Sequence, residues 1–215
     1  MQGLTSKDKN EKTIKLMITQ GIHGYFLQEK WLLGKFYRMI RGHLLLHHGM
    51  ATKPCHMNWT RSGVAIILGP FLLRACNIAG KPPPTTSASN SDFPSRMIGA
   101  TFCFNNHSNK KEETYHIKGR GRIKIFLASI YHPVEHNDQK RLNEELSSFY
   151  NAIPWNYKLL SVQDVNSNIG VRSKMFRDVI RPNGIDNRNA KDKYLLFLLN
   201  SIKLRVLLTY FRHEN

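Results

Sequence analysis

An α/β or α+β fold, with helices covering a sheet core, is what this chain predicts. Three observations carry the prediction. Strand-like apolar runs alternate with segments of helical spacing. The 215 residues suffice for one domain with a real core, and no internal repeat divides them. Hydrophobic residues make up 41% and charged residues 22%, proportions that place the chain with globular rather than disordered sequences.

The elements follow in order. Residues 6–20 mix charges with Ile14, Leu16, Met17 and Ile18, the pattern of an amphipathic helix. GYFLQE (24–29) reads as a short buried strand ending on a carboxylate. In LLHHGM, His47 and His48 are expected in a loop, exposed or at the core edge, where adjacent histidines without further partners make poor metal ligands. SGVAIIL (62–68) is a β-branched strand opened by Gly63. The apolar run continuing from it is broken by Gly69, Pro70 and Arg74, so it is too short to span a bilayer. GKPPPTTSASNSDFP (80–94) is a surface loop rather than a domain linker.

RMIGATFCF (96–104) alternates as a strand does, and HSNKKEETYHIKGRGR (107–122) is a charged hairpin or loop. IKIFLASIYHP (123–133) is a strong strand stopped by Pro133. HNDQKRLNEELSSFYNAI (136–153) is a helix ended by Pro154, and a strand follows at 159–163. Residues 172–193 are polar, with turn signals at Pro182 and Gly184. Residues 193–211 form a helix, with RVLLTYF as a candidate last strand.

Charge narrows the partners. Lys and Arg number 32 against 15 Asp and Glu, a formal +17, and the pI is near 10.0. Such an excess suits a polyanion, above all nucleic acid, or else an anionic membrane surface. Cys55, Cys76 and Cys103 form no C-x-x-C pair and are odd in number, which argues against a disulfide framework or a zinc knuckle and for buried free thiols in a reducing compartment. MQGLTSKDKNEKTIK has no apolar core of a secretory signal, so an intracellular protein, nuclear or cytoplasmic, without a membrane partner is expected.

Three strands end on polar groups: LQE on Glu29, SIYHP near Tyr131, and LLSVQDVN on Asp164 and Asn166. Strand residues two apart share a face, so Asp164 and Asn166 are expected to look out together at the mouth of a sheet. Strand-to-loop edges collect ligand and catalytic groups. A carboxylate, an amide and a phenol are what metal-assisted attack on a phosphodiester needs. Each residue also has a plainer reading: a strand followed by a turn for Asp164 and Asn166, a turn cap for Glu29, a strand-end aromatic for Tyr131. The basic run likewise reads either as a solvated hairpin or as a phosphate contact through Lys110, Lys111, Lys118, Arg120 and Arg122.

LQEKW, SGVAIIL, ASIYHP and QDVNSNIG stand in the order found in the endonuclease/exonuclease/phosphatase superfamily. The chain resembles the endonuclease domain encoded by non-LTR retrotransposons, itself similar to the apurinic-site endonucleases. The family's pattern is a QE-type strand, a small-residue strand, an x-Y-x-P stretch, G-D-F-N-A, and a Gly/Asn-rich segment like GIDNRNAK before a Leu-rich helix. The similarity covers nearly the whole chain. It implies a two-sheet β-sandwich flanked by helices and an endonuclease acting on DNA with Mg²⁺ or Mn²⁺, with a reverse transcriptase domain as a partner in the full element. By the same resemblance Glu29 is the metal ligand, Tyr131 contacts the scissile phosphate, Asp164 orients or activates water, and Asn166 helps to hold the phosphate.

The chain also departs from that pattern. Gln163 stands where the family has Gly, Val165 where it has Phe, and Lys30 where Thr or Ser is common. Against the family, the first strand with its Asn and the closing Asp-His strands are expected to be missing from 1–215, so one incomplete domain is expected. The alternative to a working nuclease is therefore a catalytically inactive retroelement fragment that at most binds nucleic acid weakly.

Overall fold

The computed structural model describes residues 7–28, 34–49, 63–86, 96–104, 122–132, 136–165, 174–180 and 190–207. It is a mixed α/β structure with two four-stranded sheets and four helices among the described residues. The chain falls into two compact units, Met1–Tyr131 with Ile153–Gln163, and His132–Ala152 with Asp164–Asn215.

The first unit opens with helix α1 (Lys7–Thr19) and strands β1 (Gly24–Leu27), β2 (Lys35–Ile40), β3 (His43–His48) and β4 (Val64–Leu68). These strands form one antiparallel sheet in the order β1-β4-β3-β2. All five residues of β4 are buried. The register explains how, because alternate residues face opposite sides. Val64, Ile66 and Leu68 share a core with Leu46. Ala65 and Ile67 share another with Leu45 and with Ile14 and Met17 of α1. The helix thus covers one face of the sheet with Ile14 and Met17, three apart and on one side of it, while Leu16 and Ile18 of the same apolar set are exposed.

β2 and β3 make a tight hairpin, with Ile40 opposite His43. Its two central residues, Arg41 and Gly42, have φ of 48° and 75°. Positive φ at both positions is the two-residue turn whose twist suits paired strands. The Arg41 guanidinium also donates to Glu11 of α1 at 3.0 Å, tying the turn to the helix.

This hairpin corrects the reading of His47 and His48 as loop residues. Both lie in β3, at 0% and 3% exposure. Both faces of β3 are covered, Leu45 entering the core with α1 and Leu46 the core with the second sheet, so its side chains are hidden whatever their type. His47 Nδ1 donates to the Gly34 carbonyl at 3.0 Å, and its ring stacks on Phe36.

Helix α2 (Pro70–Ile78) follows β4 after one residue. Pro70 does not break the chain here; it sits in the first turn, where its missing N–H costs nothing. Gly69 is needed for a close approach: its N–H donates to the His23 carbonyl at 2.8 Å, and a Cβ there would lie 3.1 Å from that oxygen. Leu72, Ala75 and Cys76 of α2 join the core of Val64, Ile66 and Leu68.

The second sheet has the order β5-β6-β7-β8, from β5 (Thr85–Thr86), β6 (Met97–Phe104), β7 (Ile123–Tyr131) and β8 (Lys158–Asp164). Ile98, Ala100 and Phe102 of β6, with Leu127 and Tyr131 of β7, enter the same core as Leu46, Val64 and Ile66. The two sheets of the first unit are therefore layered on one apolar interior, with α2 packed beside β6. Cys76 and Cys103 are buried free thiols, as expected, and burial pushes the Cys76 thiol up against the opposing pull of Lys81. Cys55 lies outside the described residues.

The second unit contains α3 (His136–Asn151), a single 3-10 turn (Lys174–Phe176) and α4 (Ala190–Ser201). Buried Leu142, Leu146, Phe149 and Tyr150 recur at helical spacing along α3. Phe176, Val179, Ile180, Leu195, Leu196 and Leu199 form a core around which Val165, Ile202, Leu204 and Val206 pack. Residues 205–207 are not a strand, contrary to the expected RVLLTYF strand; the Val206 N–H instead donates to the Val179 carbonyl at 2.8 Å. Residues 208–211 of that expected strand lie outside the described residues. No helix among the described residues is long and apolar enough to cross a membrane.

Two outcomes follow. Ile66→Ala empties a site packed on both sides and should cost about 2 to 5 kcal/mol, read from the urea unfolding midpoint. Gly42→Ala meets no steric obstacle but forces a side chain into positive φ. It should cost about 1 to 2 kcal/mol, with Gly42→Asn closer to neutral.

Candidate functional site

The polar groups of the first unit gather at one end of its layered sheets. Pairing of Leu27 with Ala65 and of His48 with Val64 puts the ends of β1 and β3 beside the start of β4. Pairing of Met97 with Ile130 puts the end of β7 beside the start of β6. Two polar bonds then cross between the sheets at this end. The Gln28 amide Nε2 donates to the Ser129 hydroxyl at 3.3 Å. His48 Nδ1 faces the Met97 carbonyl at 3.4 Å and so must carry the proton.

Tyr131 lies two residues beyond Ser129, on the same face of β7. It is 4% exposed and its ring belongs to the apolar core. Its N–H donates to the Arg96 carbonyl at 2.9 Å. The Arg96 guanidinium carbon lies 5.3 Å from the centre of its ring, a cation–π distance. Arg96 itself is buried. Gln28, His48, Arg96, Ser129 and Tyr131 thus make a polar layer set into an apolar interior.

That layer is rich in hydrogen-bond donors and carries one permanent positive charge, on Arg96. Its members include no carboxylate, and its chemistry suits an anion better than a cation. Burial holds the His48 imidazole below the usual histidine range; the bond to Met97 opposes this, and the charge of Lys35 adds to it. Lys35 stands directly opposite His48 in the β2–β3 pairing.

Asp164 is the last residue of β8 and is half-buried. It belongs to the second unit, where its carbonyl accepts the His132 N–H at 2.8 Å. Arg122 is exposed, one residue before β7. Glu29, Asn166, Lys110, Lys111, Lys118 and Arg120 lie outside the described residues. Among the described residues no three His, Cys, Asp or Glu side chains gather so as to hold a metal ion.

Three members of the layer were not singled out from the sequence. Gln28 and Ser129 sat inside the quoted LQEKW and ASIYHP, and their signal was a polar residue within an apolar run. Arg96 stood at the head of RMIGATFCF, where a charge before a buried strand invites the question of its partner. Compared with protein-family models, curated proteins and solved structures, the chain matches none.

The burial of His48 has a measurable sign. Its pKa in the folded state is below the value of about 6.5 that it has when unfolded. The unfolded chain takes up the proton first, so this contribution to stability is complete above about pH 6.5 and is lost as pH falls below it. The urea midpoint of the native protein should therefore drop between pH 7.5 and pH 5.5 by more than that of His48→Gln.

Proposed function

We propose that the chain is an Mg²⁺-dependent, endonuclease-like phosphodiesterase acting on DNA. The observation that carries this reading is the Gln28–Ser129 bridge. It joins the end of the QE strand to the strand of the IYHP stretch. Two stretches far apart in sequence, both resembling segments of the endonucleases, are thereby held at one end of one unit. The +17 charge supports a nucleic-acid substrate over a small phosphate ester. The buried Arg96 beside Tyr131 supplies a fixed positive field where a phosphate would be received.

In this reading Glu29 supplies the hard oxygen ligand for Mg²⁺ or Mn²⁺. The bound ion would neutralise charge on the phosphate and its leaving oxygen. Asp164 orients or activates the attacking water. Tyr131 and Asn166 donate hydrogen bonds to the phosphate oxygens.

A second reading, DNA binding without cleavage, is favoured by the burial of Tyr131. A phenol that is 4% exposed and packed among Leu and Ile side chains is a core residue before it is a phosphate ligand.

Supercoiled plasmid separates the two. Cleavage predicts nicking that needs Mg²⁺, stops with a chelator, and falls roughly 10²- to 10⁴-fold in Asp164→Ala. Unchanged nicking in that variant would remove Asp164 from the site. Retention of DNA that weakens steeply with salt, with no nicking, is the result that selects the second reading.

A further inference from the structure

A second cluster lies in the first unit, away from the polar layer, at the starts of β7 and β8. Pro154 to Tyr157 form a turn closed by the Tyr157 N–H donating to the Pro154 carbonyl at 3.0 Å. Trp155 sits at the tip of this turn and is 96% exposed. Tryptophan is among the more buried residues on average, and one held wholly in water at a defined turn is spare contact surface. Beside it, the Lys124 ammonium lies 5.4 Å from the centre of the Tyr157 ring. Arg122, two residues before Lys124 on the same face, and Lys158, at the start of β8, are both exposed.

We propose that Trp155 is a base-stacking platform for single-stranded nucleic acid, with Arg122, Lys124 and Lys158 holding the adjoining phosphates. A flat aromatic face beside a row of cations is the recognition chemistry of unpaired strands. Stacking accepts any base, and it needs a base that is not already stacked in a duplex. The lysine beside Tyr157 orients that ring and leaves its charge at the surface. An anionic membrane is the other polyanionic surface that Trp and Lys can meet, but it takes several apolar side chains into the acyl boundary. Here Trp155 is flanked at its turn by Pro154 and Asn156, both exposed. The proposal rests on the nucleic-acid half of the proposed function and is independent of cleavage.

The test is fluorescence anisotropy of a labelled oligo-dT strand with the full chain, compared at low salt for the native protein, Trp155→Ala and Trp155→Phe, and repeated over a series of salt concentrations for the native protein and Lys124→Gln. Trp155→Ala should weaken binding roughly 5- to 150-fold, and Trp155→Phe should recover most of it, because the stacking face returns. Lys124→Gln should lower the dependence of log affinity on log salt by roughly 0.7, one phosphate contact on a single strand.

Equal binding by Trp155→Ala and the native protein overturns the platform; if the native protein still retains plasmid, the proposed function survives that failure. A native chain that binds neither oligo-dT nor plasmid removes both. Trp155-dependent binding to phosphatidylserine–phosphatidylcholine vesicles, with oligo-dT binding unaffected by the substitution, assigns the patch to a membrane instead and overturns the proposal.

Discussion

The first unit is organised by the need to bury β4 on both faces. A strand of five apolar residues, each hidden, requires two separate covers, and the chain supplies them from distant places. Ile14 and Met17 of α1 close over Ala65 and Ile67. Ile98, Phe102 and Leu127 of the second sheet close over Val64, Ile66 and Leu68. The other strands of the sheet take their faces from this arrangement, because a one-residue slip would turn every side chain to the wrong cover. The close contact of Gly69 with His23 and the start of α2 follow from the same demand. The chain must leave β4 at once and place Leu72, Ala75 and Cys76 in the layer that β4 has already defined.

Apolar contact alone does not say how one sheet should be placed on another, since it has no direction. The polar layer at the end of the two sheets does. A buried donor left without its acceptor costs about 1 to 3 kcal/mol, so the Gln28–Ser129 and His48–Met97 contacts penalise any sliding of the sheets. The residues that could receive an anion are thus also the residues that fix the placement. Tyr131 is tied into this layer twice over. Its ring fills the core, while its backbone and its face are both engaged by Arg96.

The long elements were legible because their periodicity is strong. α1, β4, β6, β7, α3 and β8 all fall within a residue or two of the spans that apolar spacing suggests. The β2–β3 hairpin was not legible. Its turn is Arg-Gly rather than the Asn-Gly or Asp-Gly of the usual signal, and four of the six β2 side chains face water. Two histidines in β3 disguised its end, since nothing local says that a strand on either side will bury them. Helix α2 was not among the elements read from the sequence, because Gly-Pro is equally the mark of a turn and of a helix start. Two of the strands singled out from the sequence, β1 and β7, do meet at one end through Gln28 and Ser129, yet the grouping of Gln28, His48 and Arg96 emerges only from pairing between strands. A contact between residues 28 and 129 has no one-dimensional trace.

The exposed side of β2 has its own consequence. Among the described strands it forms the sheet's edge, with Tyr37 and Met39 about half open to water. Open backbone groups beside such side chains are a template for adding a strand from another molecule. Lys35 and Arg38 stand on that edge, and the excess of +17 makes every copy repel the next. This guard is purely electrostatic and weakens beyond roughly 8 to 10 Å at ordinary ionic strength. A polyanion that neutralises the excess cancels the repulsion and at the same time crowds copies along its length. Colloidal behaviour is therefore tied to charge: an edge kept apart in free solution is brought close to its neighbours on any long polyanion that gathers several copies.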